Sequence, residues 1–233
     1  MTNFSTDDFF NAFFAWRSSP QAAILLEKEC AALLATTANI FGFHAVQLGF
    51  PLFDALAQCR IQQKILAGVA SPEKNVDVEC ELTALPFAEN SVDLLILPHV
   101  LEFASDPQAI LREAERVLIS EGHLLITGFS AFSIGVLWRY LGKKTAFPWF
   151  GRFLPVWRLK DWLGVLNFEV AAPAIKIFSS IYTPNVYTLH AIKRRYGMRL
   201  IVPTFPALKK HRATPLPVKT FEGTHYVDNI QRR

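Results

Sequence analysis

The sequence predicts an α/β domain built around a parallel sheet, on two observations from its middle and one from its composition. Ser91-Val-Asp-Leu-Leu-Ile-Leu-Pro98 contains a continuous apolar run, Leu94 to Leu97, the pattern of a strand covered on both faces. A helix start at Ser105-Asp106-Pro107 follows, then a further strand at His123–Thr127. Such a strand–helix–strand succession pairs parallel strands through a right-handed crossover. The 233 residues are 51% hydrophobic and 13% aromatic, enough for one well-buried domain and too apolar for disorder over most of the chain.

The elements follow in order. The first forty residues read as helical. Gln21 to Ile40 sets Ala23, Leu26, Cys30, Leu33 and Leu34 near one face, with Gly42 as a stop. His44-Ala-Val-Gln-Leu-Gly49 reads as a short buried strand entering a turn. Ile65–Ala70, broken by Ser71-Pro72, predicts a second strand, and Val76–Cys80 a weaker third. In the helix after Ser105, either Ser105 or Asp106 supplies the cap, and Pro107 suits a first-turn position where its missing N–H costs nothing. Ile110, Ala114, Val117 and Leu118 form its apolar stripe; Arg112, Glu113, Glu115 and Arg116 are expected to face water. The stretch from Ser133 to Leu166 is aromatic and basic and predicts two short helices, Ile134–Leu141 and Leu159–Leu166. Phe168–Ala172 and Val186–Ile192 read as closing strands. The expected division is an N-terminal helical extension over 1–42, an α/β domain over 43–196 and a basic, proline-containing tail over 197–233.

Composition excludes several classes. The start carries Asp7 and Asp8 where a signal peptide carries positive charge, and the longest uncharged run, between Glu29 and Asp54, includes too many polar residues, glycines and a proline for a membrane span. Cys30, Cys59 and Cys80 are widely spaced and odd in number, which points to reduced thiols and a cytoplasmic protein. From Lys193 to Arg233 there are ten Lys/Arg against two Asp/Glu, so the tail is basic and the remainder mildly acidic. That tail suits a weak anionic partner, nucleic acid or lipid, or simply a solvated segment. The aromatic and basic stretch 132–162 reads as core-packing helices whose cations reach outward, or as a cover over a substrate pocket or a membrane-facing surface. Metal-ligand spacing, a nucleophile elbow and a phosphate-binding loop are all missing from the sequence.

Leu82-Thr-Ala-Leu-Pro-Phe-Ala-Glu-Asn-Ser-Val-Asp-Leu-Leu-Ile-Leu-Pro-His-Val-Leu-Glu-Phe103 resembles the middle of small-molecule S-adenosylmethionine methyltransferases of the type 11 group. Asp106-Pro through Arg116-Val-Leu, then Gly122-His-Leu-Leu-Ile-Thr-Gly128, is similar to the same family's next helix and strand. The match is densest from Glu81 to Phe129 and weak beyond it. The resemblance implies a Rossmann-like, seven-stranded, mostly parallel sheet with S-adenosylmethionine across the carboxyl ends of its strands, the general ligand position in open α/β sheets.

On this resemblance Gly49 and Phe50 would lie against the cofactor's amino-acid part, Glu81 with Leu82 against the adenine, and Pro98 and His99 near the reactive methyl. His99 is the candidate catalytic base, with Glu102 beside it a second pocket candidate; Asp93 reads as a strand-start residue. The chain departs from the pattern at the first turn. Ala45-Val-Gln-Leu-Gly-Phe-Pro-Leu-Phe53 stands where the family has VLDLGCGTG, so Gln47 replaces an acid, and Pro51 and Phe53 replace glycines. Ala70 stands where an acid binds the ribose hydroxyls. Losing that acceptor costs about 2–4 kcal/mol, taking hydrogen bonds to a charged group at roughly 1.5–3 kcal/mol each. Two functions follow from the sequence: methyl transfer to a small or lipid-like acceptor, or a methyltransferase-shaped module that binds a partner without catalysis. The acceptor and the oligomeric state are not encoded in any motif.

Overall fold

The structure is a computed structural model, and it describes residues 16, 19–49, 54–68, 76–130, 153–178 and 185–194. By contacts the chain divides into Met1–Gly197 and Met198–Arg233, and all described residues belong to the first unit. The segment 1–15, the expected helix Ile134–Leu141 and the basic tail lie outside the described residues.

Strand β1 (His44–Leu48) lies between β2 (Gln63–Gly68) and β4 (Val92–Pro98), parallel to both. Val46 stands opposite Ile65 on one side and Leu95 on the other. The two-residue β3 (Val78–Glu79) extends the parallel sheet beyond β2, and β5 (Leu118–Phe129) continues it on the far side of β4. Strands β6 (Phe168–Phe178) and β7 (Val186–Lys193) complete the order β3-β2-β1-β4-β5-β7-β6, with β7 antiparallel to both neighbours. The sheet is therefore seven-stranded and mostly parallel, as the resemblance implies. β6 slips register between Val170 and Ile175, the interval that holds Pro173, which only an edge strand tolerates.

All seven residues of β4 are buried, because helices cover both faces of the sheet. Leu95 and Leu97 point into one core with Leu124, Ile126, Leu111 of α2 (Pro107–Val117) and Leu159 of α3 (Val156–Val165). Leu94 and Ile96 point into the other, with Leu125 and Leu33 of α1 (Pro20–Thr37). α2 starts as expected: Asp106 Oδ1 accepts from Ala109 N at 2.9 Å and Pro107 fills the first turn. α1 starts likewise, Ser19 Oγ accepting from Ala22 N at 3.3 Å ahead of Pro20.

Three local expectations change. The buried stripe of α1 is Ala22, Leu25, Leu26, Glu29, Ala32, Leu33 and Thr37; Leu26 and Leu33 lie on it as expected, Cys30 and Leu34 are half-buried at its border, and Ala23 is exposed. The helix stops at Thr37, and Gly42 serves instead to admit Asp93, whose Cβ would lie 2.4 Å from a Cβ at that position. Glu113 and Arg116 do not simply face water. Glu113 accepts from Leu85 N at 2.9 Å, and Arg116 donates to the carbonyls of Leu85 and Phe87 at 3.0 Å, so the pair fastens the chain that enters β4. Asp93 is structural, as expected: its Oδ2 accepts from both Phe43 N and His44 N at 2.9 Å, tying β4 to the start of β1.

Candidate functional site

The order of the strands reverses between β1 and β4, and ligands of open α/β sheets bind outside the carboxyl ends at such a switch. What projects there is decided by three strand ends. β1 ends at Gly49, whose φ of 92° lies in the left-handed region that favours glycine. β2 ends at Gly68, with φ 155°, where a Cβ would come within 2.7 Å of Gly49 O. The two tips thus meet backbone to backbone, Gly49 N donating to Ala67 O at 2.9 Å. Gln47 turns its amide oxygen to Ala55 N at 3.1 Å and so holds the chain returning to the sheet after the first turn. Phe50, Pro51, Phe53 and Ala70 lie outside the described residues.

At the third end, β4 stops at buried Pro98, and His99 takes a left-handed φ of 54° while its N–H still bonds to Thr127 O at 3.0 Å. That conformation turns the imidazole inward, where it is buried and tilted against the Phe129 ring at 4.2 Å between centroids. Nδ1 lies 3.1 Å from Glu102 Oε2, and Nε2 lies 3.1 Å from Glu29 Oε2. Glu102 reaches back from one turn further along the chain, and its other oxygen accepts from Phe129 N at the end of β5. Glu29 comes from α1 and is fully buried; its Oε1 has no hydrogen-bond partner among the described residues. Gly128 leaves the room this packing needs, since a Cβ there would lie 2.7 Å from Tyr187 Oη and 2.8 Å from Glu102 Oε1.

Burial opposes charge on His99, but the Glu29 and Glu102 carboxylates outweigh it and hold its pKa up to about 10. Burial raises the Glu102 carboxyl against the opposing pull of His99. It also raises the Tyr187 phenol, with a further push from Glu102, so Tyr187 stays neutral. Both imidazole nitrogens are committed to carboxylates, which removes the free lone pair a general base needs. The expectation of His99 as a base therefore gives way to a charged imidazole that joins β4, β5 and α1.

The remaining expected residues are more dispersed. Glu81 is exposed just past β3, where its Oε1 accepts from Thr83 Oγ1 at 2.6 Å. Leu82 is half-buried against the main core. Glu29 and Gly68 were not expected at the site. Glu29 had one signal in the sequence, a carboxylate at the i, i+3, i+4, i+7 spacing of an apolar helix stripe. Among the described residues no group of three or more His, Cys, Asp or Glu could hold a metal ion. Among them, too, no helix is long and apolar enough to cross a membrane.

With this geometry in view, comparison with known proteins is informative. Residues 49–126, from the tip of β1 to β5, match the methyltransferase domain family. The chain is 36% identical over 135 residues to the uncharacterized protein YafS of Escherichia coli (strain K12), a match covering 57% of this chain and 55% of that protein. The chain thus spans about half the length of this curated relative. A SAM-dependent methyltransferase of Thermotoga maritima superposes with a TM-score of 0.54 at 18% identity, covering 81% of this chain and 96% of the other. Magnesium protoporphyrin IX methyltransferase of Synechocystis PCC 6803, solved with bound SAH, gives a TM-score of 0.53 at 14% identity, covering 80% and 94%. At these identities the two structures establish the shared fold.

Proposed function

We propose that this chain, a member of the methyltransferase domain family over residues 49–126, transfers a methyl group from S-adenosylmethionine to an acceptor held at the carboxyl end of β4. The observation that carries the proposal is the meeting of the Gly49 and Gly68 tips, backbone to backbone, at the topological switch, where open α/β sheets bind their ligands. A Cβ on Gly49 would also meet Val100 Cγ2 at 2.5 Å, so the tip of β1 admits no side chain on either count.

The glycine at the tip of β1 and the exposed Glu81 carboxylate past β3 support a cofactor site here. On the family pattern, Gly49 and its neighbour Phe50 would hold the amino-acid part, Glu81 and Leu82 the adenine, and Pro98 and His99 would border the methyl group. The cofactor supplies an already electrophilic methyl on a sulfonium, so the protein's task is positioning and exclusion of water. His99, held between two carboxylates and tilted against Phe129, is buried at that end of the sheet. Without an acid at Ala70, ribose binding rests on other groups and affinity is reduced.

Calorimetry of the full chain tests the proposal. Titration with S-adenosylmethionine is expected to give saturable heat, and S-adenosylhomocysteine is expected to raise the melting temperature, because a ligand that binds only the folded state stabilises it. No heat at millimolar cofactor would overturn it. Pro51 and Phe53, in place of turn glycines, favour the second reading, a binding module without catalysis. Methyl transfer to any acceptor rules that reading out.

A further inference from the structure

Two aromatic side chains stand in solvent where β1 begins, at the end of the sheet away from the glycine tips. Phe41 is 67% exposed and Phe43 is 78% exposed, although the loop that carries them is firmly held. Ile40 before them is buried, and a Cβ on Gly42 between them would meet Asp93 Cβ at 2.4 Å. Asp93 Oδ2 accepts from Phe43 N and His44 N, each at 2.9 Å, and Phe43 O accepts from Gln63 N at 3.3 Å. The loop is thus tied to β4 and to the start of β2, and it holds both rings outward. Large apolar rings fixed together in water mark a surface made for contact.

Cations stand beside these rings. The Arg60 guanidinium lies over the Phe41 ring, 5.3 Å from its centroid. Exposed Lys64 follows on β2, opposite Ala45, with one contact to Ala57 O at 3.3 Å. Among the described residues of this corner, the carboxylates are turned to backbone: Asp93 as above, and Asp54 by accepting from Leu56 N at 3.0 Å. Apolar rings flanked by Arg and Lys complement a surface that is anionic outside and apolar beneath. The rings enter below the headgroups while the cations stay level with the phosphates. A nucleic acid needs ring faces to stack on, and Arg60 already covers one face of Phe41.

We propose that Phe41, Phe43, Arg60 and Lys64 form a docking surface for the headgroup layer of an anionic lipid bilayer. The inference stands apart from methyl transfer and from cofactor binding. The candidate site lies at the carboxyl ends of the same strands, so a chain docked by this corner keeps that site turned towards solution.

Sedimentation of the full chain with lipid vesicles tests this, without cofactor. Vesicles of phosphatidylcholine with roughly one third phosphatidylglycerol are expected to bind at least about tenfold more tightly than phosphatidylcholine alone. The basic tail over 197–233 can hold anionic vesicles by charge alone, so the deciding variant removes the rings. Phe41→Ser with Phe43→Ser is expected to keep the melting temperature and to weaken binding to the mixed vesicles at least about tenfold. Should that variant melt lower, Arg60→Gln with Lys64→Gln keeps the rings and is expected to lower the preference for the anionic vesicles at least about threefold. Vesicle binding unchanged in the folded variant, or none by the unaltered chain, would overturn the proposal. So would a dimer that the ring variant converts to monomer, or tighter binding to a single-stranded oligonucleotide that the same variant loses.

Discussion

At the carboxyl end of β4, His99 lies between two carboxylates and is held charged, its pKa pushed up to about 10. Towards the opposite end of the same sheet, His123 on β5 and His190 on β7 face each other, Nδ1 to Nε2, at 2.9 Å. Burial, and for His190 the neighbouring His123, lowers that pair, His190 to about 4. Desolvation disfavours the imidazolium at both ends; what differs is the partner. Two carboxylates reverse the effect of burial, whereas a second histidine adds to it. Near the His123–His190 end the chain also encloses an open cavity of about 530 Å³ lined by Glu89, Asn90, Glu115, Lys193 and Arg194, where Lys193 pairs with Glu115 at 3.2 Å. Charges there are matched and reach solvent. At the Glu29–His99–Glu102 end they are buried, and that end lies at the topological switch, which is why it is the candidate site.

The comparison breaks most sharply if the histidines are removed one at a time. His99→Leu leaves Glu29 and Glu102 buried without their shared partner and is expected to cost about 3–5 kcal/mol in urea unfolding. His190→Leu removes one neutral, partly exposed contact and is expected to cost at most about 1.5 kcal/mol. Equal losses would mean that the two ends are held by the same kind of interaction.

The pH dependence separates them by sign. His99 has a folded pKa above its unfolded value near 6.5, so its stabilisation is full below that value and is lost as pH rises towards about 10. His190 has a folded pKa below 6.5, so its contribution is present above that value and is lost as pH falls towards about 4. Each slope is bounded by about 1.4 kcal/mol per pH unit for one proton. Stability measured across pH should lose its alkaline slope in His99→Leu and part of its acid slope in His190→Leu. Both slopes unchanged would remove the basis for the contrast.

Gly128→Ala tests the packing at the His99 end alone. The added methyl presses on Tyr187 Oη and Glu102 Oε1, which should cost about 1–3 kcal/mol, the usual range for overpacking. It should also shift the His99 imidazole resonances while leaving those of His123 and His190 in place. Movement at both ends would show that the two centres are coupled through β5 and β7.

Much of the fold was legible because its signals are local. The run Leu94–Leu97 is apolar on both faces since helices cover both faces, and Asp106-Pro107 caps its helix within four residues. Gly49 was identified as the tip of β1 for the same reason, a strand running into a turn. The parts that were misjudged depend on what lies across the fold. Arg116 reads as a surface cation until the carbonyls of Leu85 and Phe87 are found beneath it. The centre of the α1 stripe differs from the expected one, keeping Leu26 and Leu33 but exposing Ala23, because Ala, Leu and Cys are spread round most of the helix and leave its rotation loosely specified.

His99 shows the same division within one residue. Its place just after β4 follows from the chain's own pattern of apolar runs and caps. Its charge does not, because that is set by Glu29, seventy positions away, and by Glu102 folded back from the next turn. By itself the sequence determined the order of strands and helices and the glycine tip, since periodicity and capping act between near neighbours. Only the tertiary structure decided that a residue suited to be a base is instead an imidazolium between two buried carboxylates, since the ionisation of a buried group depends on whichever charges the fold brings against it.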